Sequence, residues 1–178
     1  MSPKKNSNIV QEEEIEIRPN HYVKIMSLVP YILNLKRTNG IDPLTFNSFG
    51  EIQRVTYAML VDMMSMKRFE PFLKNGYFTI LDEKVVRNLG LDDALDKILK
   101  KEEIEMVFDN SCPTESALEL FKTANDRQKT IIADMLISRV RDGKPINMNL
   151  VHAIERESKI KIIERAEAAK EAMELGVP

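Results

Sequence analysis

The chain has 178 residues, 43% of them hydrophobic and 30% charged, with a formal charge of −2. That is enough apolar content to bury a core, and too little basic excess to hold a polyanion by bulk charge. Residues 1–89 carry 12 Lys and Arg against 10 Asp and Glu and the remainder 14 against 18, so neither half reads as a strongly charged tail.

Cys112 is the only cysteine, which excludes an intramolecular disulfide and fits a reducing compartment. The start, Met1 to Asn6, runs into polar and acidic residues where a signal peptide would have its apolar stretch, and no apolar run approaches the ~20 residues that span a bilayer. A cytoplasmic protein without a membrane partner is expected. With no Trp and 10 Met, the core should be aliphatic, with Met filling irregular gaps.

In chain order, residues 1–14 read as a flexible arm ending in Glu12-Glu13-Glu14, three carboxylates that are candidates for contact with a partner. From Ile15 to about Tyr57 the pattern is strand-like. Ile15 and Ile17 alternate with charged residues, and Tyr22–Met26, Ile32–Lys36, Leu44–Phe46 and Ile52–Thr56 are rich in β-formers. Pro30, Thr38-Asn39-Gly40 and Phe49-Gly50-Glu51 separate them, predicting a small meander or barrel-like sheet. Tyr57, Leu60, Val61 and Met64 then recur at helical spacing, predicting a helix to about Lys67. Asn75-Gly76 marks a turn and Tyr77–Leu81 a strand. Asp82 is placed to cap a helix that carries Val85, Val86 and Leu89 and stops at Gly90.

Beyond Gly90 the spacing is helical almost throughout. Leu91, Leu95, Ile98 and Leu99 form one stripe, and Ile104, Met106, Val107 and Phe108 another. Thr114 and Asn125 (or Asp126) are candidate caps for helices bearing Ala117, Leu118 and Phe121, then Ile131, Ile132, Met135, Leu136 and Val140. Asp142-Gly143-Lys144-Pro145 ends the second of these, Leu150, Val151 and Ile154 begin another, and Ile160–Leu175 is rich in strong helix formers. The expected fold is α+β: a flexible arm at 1–14, an α+β domain at 15–90 with a small sheet and one or two helices, and a helical bundle at 91–178.

Chemistry is sparse. His21 and His152 are isolated from each other and from Cys112, and no CxxC, HExxH or EF-hand spacing is present. There is no GxSxG nucleophile elbow, and the 6 glycines are too scattered for a phosphate-cradling loop. Cys112 precedes Pro113 at a helix entrance, where exposed N–H groups favour a thiolate, but no adjacent base is evident. No metal, no small-molecule cofactor and no enzymatic activity are expected.

Interaction surfaces are better represented. In the last helix Ile160, Ile163, Ala166, Ala169 (or Lys170) and Met173 make a narrow stripe of small and apolar residues suited to close helix contact, either with the chain's own domain or with another subunit. The segment 125–158 reads helix, turn, helix, with Arg139, Arg141, Lys144 and Arg156 nearby. A helix-turn-helix would send its second helix into a DNA groove, although Glu155 and Glu157 there would repel phosphate. In the β region Lys24, Lys36, Arg37, Arg54, Lys67 and Arg68 are interleaved with Tyr22, Tyr31, Phe46 and Phe49, a composition that also serves single-strand binding.

One stretch carries a resemblance. Phe49-Gly50-Glu51, Tyr57-Ala58-Met59-Leu60, the run Phe72 to Asp82 and the run Val85 to Leu91 resemble small uncharacterised proteins of tailed bacteriophages, over about residues 45–95. The resemblance has no catalytic signature and transfers no site residues. It implies a virion-associated or assembly role, in the host cytoplasm or the virion. The expectation is a non-enzymatic structural or assembly protein, a capsid or tail component packing beside copies of itself or a larger structural protein. The alternative is a nucleic-acid-binding regulator using the 125–158 helix pair or the basic and aromatic β face.

Overall fold

Alternation of apolar and polar residues builds β1 (Tyr22–Ser27), with Val23 and Ile25 fully buried and Tyr22 and Lys24 exposed. The computed structural model describes residues 16–37 and 41–176, and the molecule is α+β. After β1 come β2 (Leu33–Leu35), β3 (Leu44–Phe46) and β4 (Ile52–Thr56), then helices α1 (Tyr57–Met64) and α2 (Phe69–Lys74), and β5 (Phe78–Ile80). The remainder is helical: α3 (Glu83–Asn88), α4 (Asp92–Leu95), α5 (Lys101–Phe108), α6 (Thr114–Thr123), α7 (Asp126–Arg141), α8 (Met148–Ser158) and α9 (Ile162–Glu174).

The strands are shared between two antiparallel sheets. β1 is central in the order β4-β1-β5, with Val23 opposite Val55, Lys24 opposite Arg54 and Ile25 opposite Ile80. β2 and β3 pair separately, Leu33 opposite Phe46 and Leu35 opposite Leu44. The strand pattern at Ile15–Arg18 produces no strand in its described part, where Glu16–Arg18 is irregular and leads into a turn at Pro19-Asn20. Ile15, the Glu12–Glu14 run and the Thr38–Gly40 turn lie outside the described residues.

Caps set the helix starts. Thr56 Oγ1 accepts from Met59 N at 3.3 Å, Asp82 Oδ1 from Lys84 N and Val85 N at 3.1 and 3.2 Å, and Asn125 Oδ1 from Gln128 N at 2.8 Å. The predicted helix from Tyr57 to Lys67 closes earlier, at Met64, where Ser65 N turns back to Asp62 O. A separate helix, α2, follows around Pro71. Between Leu91 and Leu99 only one turn, α4, is regular, although Leu91, Ala94, Ile98 and Leu99 are all buried.

Two cores result. The first gathers Val23, Ile25, Phe46, Val55, Leu60, Leu73 and Phe78 beneath α1, α2 and α3; the second gathers Ile104, Phe121, Ile132, Leu136, Val151, Ile154 and Ile162. The division is not clean in sequence. Met26 and Leu28, at the end of β1, belong to the helical core, whereas Ile131 of α7 belongs to the first. The join is made by Gln128, 1% exposed, whose Oε1 accepts from Leu99 N at 2.8 Å while its Nε2 donates to Leu99 O at 2.9 Å. Gly76 packs directly on this side chain. A Cβ there would lie 2.7 Å from Gln128 carbons, and its φ of +74° already favours glycine.

Candidate binding groove

Period two in β2 turns Leu33 and Leu35 into the core and leaves Asn34 and the following Lys36 outside. Across from them, α1 ends and the chain tightens through Met66 N to Met63 O and Phe69 N to Met66 O, so that Lys67 and Arg68 ride on an exposed corner before α2. α2 then presents Phe69 inward, 4% exposed, and leaves Phe72 half-buried. These residues enclose a groove of about 360 Å³, lined by Asn34, Leu35, Lys36, Met66, Lys67, Arg68, Phe69 and Phe72.

Its chemistry is one-sided. Three cations stand around an apolar floor, the lining contains no acidic residue, and none of the three cations is ion-paired among the described residues. Phe72 stacks on Tyr77 with ring centroids 4.6 Å apart, and the Arg127 guanidinium lies 4.9 Å from the Tyr77 centroid. Arg127 Nη2 also donates to Tyr31 Oη at 3.1 Å. Burial pushes the Tyr31 phenol above its ordinary value, against the pull of Arg127. The groove thus abuts a packed stack of aromatic rings and guanidinium that ties α2 and β5 to α7. A surface of this kind can recognise anionic, partly apolar matter.

Of the basic and aromatic residues expected to share a face, the structure brings together Lys36, Lys67 and Arg68. Phe46 is fully buried and Phe49 half-buried against the second core. Lys24 and Arg54 face each other across β1 and β4 on the sheet's outer side, beside Tyr22, which is 69% exposed. Phe72, Tyr77 and Arg127 were not among the expected site residues, because only the fold brings Arg127 of α7 over the Phe72–Tyr77 stack.

The helix pair 125–158 is arranged differently from a helix-turn-helix. α8 packs chiefly on α6 and α7 on α9. Arg139 lies 4.8 Å from the Phe108 centroid, and Arg141 and Lys144 both reach Asp142, at 2.8 and 3.4 Å. Arg156 borders an open cavity of about 720 Å³ between α6 and α8, shared with Glu115, His152 and Glu155. There His152 Nδ1 is 3.4 Å from Glu155 Oε2, and Glu155 Oε1 accepts from Ile163 N at 3.0 Å. Glu155 therefore joins α8 to the start of α9.

α9 starts at Ile162, two residues after the predicted start, so Ile160 lies in the link from α8, half-buried against the helical core; on α9, Ala166 is buried, Ile163 half-buried and Met173 65% exposed. Ile162, outside the predicted stripe, is the residue that is fully buried. The inner part of the stripe therefore packs within the chain, and its outer end stays open.

The polar residues with reactive potential have structural partners. His21 Nε2 bonds Asp82 Oδ2 at 2.8 Å, and this bond, with the α3 amides, holds the Asp82 carboxyl below its ordinary range. Cys112 is half-buried, its thiol 3.7 Å from Pro113 O. Among the described residues no group of three or more His, Cys, Asp or Glu is placed to hold a metal, and no helix is long and apolar enough to cross a membrane.

No protein-family model matches the chain, and no curated protein or solved structure matches it either.

Proposed function

We propose that this is a non-enzymatic structural or assembly protein that works through protein–protein contacts, as a bacteriophage capsid or tail component. The observation that carries the reading is the groove between β2 and the α1–α2 corner. Its three cations, unpaired among the described residues, over an apolar floor suit an acidic, partly apolar segment of a protein partner. The virion setting rests on the resemblance over about residues 45–95 alone. The test pairs sedimentation of the purified chain over a concentration series with retention of separately purified capsid, portal and tail proteins on the immobilised chain. Concentration-dependent self-association or specific retention is expected. A monomer at every concentration that retains none of them sinks the proposal.

A second reading, nucleic-acid binding, is favoured by one observation of its own. Lys24 and Arg54 lie directly opposite on the outer sheet face, next to exposed Tyr22, and like charges in that register disfavour the fold. A phosphate backbone would relieve that repulsion, with Tyr22 as a stacking platform. The helix-pair version draws less support, because Arg139, Arg141 and Lys144 are engaged within the protein. Salt-dependent retardation of a labelled single strand that is lost in Lys24→Glu/Arg54→Glu would establish it; no retardation at low salt would remove it.

A further inference from the structure

Two surfaces of the chain carry the same pattern with opposite charge. On the outer face of the β4-β1-β5 sheet Arg54 lies opposite Lys24, and Leu81, whose N–H donates to Lys24 O at 3.0 Å, extends that row past β5. Tyr22 stands on one side of the row and Ile52 on the other, because side chains two apart on a strand share a face. Met26 comes next on that face but is sealed into the helical core, so the helices cover one end of β1 and leave the Tyr22 end bare. On α9, Glu167, Glu171 and Glu174 recur at i, i+4 and i+7 and form one exposed row. At the end of the helix Met173 and Leu175 flank this row on either side, with Lys170 between it and Met173.

We propose that the open sheet face of one copy takes the end of α9 of a second copy. The glutamates lie on Lys24 and Arg54, and Met173 and Leu175 lie against Tyr22 and Ile52. This rests on the assembly reading above and names a contact that the assembly would use, on a surface distinct from the groove.

Three observations carry it. Leu175, Tyr22 and Met173, at 78%, 69% and 65% exposure, are the most exposed large apolar side chains among the described residues, and they fall in these two patches alone. Both patches are open in one and the same chain. α9 runs along α7, fixed there by buried Ile162 and Ala166, so it does not cover its own sheet and the two patches meet only between copies. The charges are complementary. Lys24 and Arg54 repel each other in direct register, no side chain of that face is acidic, and α9 brings three glutamates together with the negative end of its helix dipole. Finally, the apolar flanks favour a protein over a nucleic acid. Tyr22 could stack on a base, but Ile52 and Leu81 offer nothing to a phosphate backbone, whereas Met173 and Leu175 would bury them.

The experiment uses the full chain and two charge reversals, Lys24→Glu/Arg54→Glu on the sheet and Glu171→Lys/Glu174→Lys on α9. Met173→Ser/Leu175→Ser tests the apolar part, and circular dichroism checks that each variant is folded. Sedimentation over a concentration series should show wild-type self-association that weakens with added salt. Each of the three variants should weaken it by about tenfold or more. Mixing the two reversed chains should restore association as a one-to-one complex, because the lysine-bearing helix of one then meets the glutamate-bearing sheet of the other. If the sheet variant fails to fold, the two α9 variants decide. Association that the folded variants leave unchanged overturns the inference, while the assembly reading stands through another surface. A mixture of reversed chains that stays dissociated overturns it too, as does a wild-type chain that is monomeric at every concentration. In that last case retention of a virion protein decides the assembly reading separately. A labelled single strand that binds a monomeric wild type and the α9 variants alike, and is lost in Lys24→Glu/Arg54→Glu, would give the sheet face to nucleic acid instead.

Discussion

Gln128 replaces a strand with one side chain. Its amide satisfies both backbone groups of Leu99, which is itself 6% exposed, so the irregular stretch between α4 and α5 needs no ladder of its own. Gln128→Ala would strand a buried donor and acceptor and should cost about 2–4 kcal/mol, read by urea denaturation. A loss under about 0.5 kcal/mol, the scale of an ordinary surface change, would show that water replaces the amide. Sequence gave no hint of this role, since Gln128 sits in the polar first turn of α7 and its partner is 29 residues away. Asp82 was half legible. Its capping role follows from its place before Val85 and Val86, but the bond from His21 spans 61 residues and depends on β1 lying beside β5. Because its carboxyl is held below the unfolded value, Asp82 contributes stability that is complete above about pH 3.9 and is lost as pH falls through the lower folded value. Asp82→Asn keeps the cap and removes the charge. The stability gap between wild type and this variant should therefore narrow as urea titrations move from neutral pH to below about 3.9. A gap that is flat with pH would refute the assignment.

At the scale of elements, most boundaries followed from caps and periodicity, and the exceptions have local causes. α2, a stretch that carries no element assignment from the sequence, accommodates Pro71 because proline three residues into a helix sits where its missing N–H has no intrahelical acceptor. The strand pattern near Ile17 stays irregular, and the turn that follows it is tied to the start of α1, where Tyr57 N and Ala58 N donate to His21 O and Pro19 O. The α8–α9 junction shows a point of strain. Lys159 ends α8 at φ +60°, a left-handed conformation that glycine adopts without penalty. Lys159→Gly should raise stability by about 0.5–1 kcal/mol, visible as a higher melting temperature. A decrease would mean that the lysine side chain, rather than its backbone, holds the junction. The predicted stripe missed Ile162 because it steps by three residues from Ile160, whereas the buried pair on α9 is Ile162 and Ala166, one i, i+4 step apart.

Over the whole molecule, the α+β class and the order of a small β-containing half before a helical half were legible, since they rest on period and composition. The groove was legible only as ingredients. Lys36 and the Lys67-Arg68 pair were noted as part of a basic set, but the 30 residues between them close into one site only through the β2–β3 hairpin and the early end of α1. The same set was scattered elsewhere by the fold, with Phe46 buried and Lys24 and Arg54 paired across the separate β4-β1-β5 sheet. Because β1 feeds both cores and Gln128 joins them, urea unfolding followed by tyrosine fluorescence and by circular dichroism should give coincident single transitions. Two separated transitions would mean that the halves fold independently.

Met26 and Leu28 carry a consequence for synthesis. Both are placed early in the chain and covered late, by helices that begin after residue 100. At roughly 5–20 residues per second, several seconds separate their emergence from the arrival of α5 to α8. Through that interval the nascent chain exposes an apolar strand end to everything around it, including other copies being made on the same message. A fragment ending at Leu91 would keep that end open permanently and should precipitate where the full chain stays in solution.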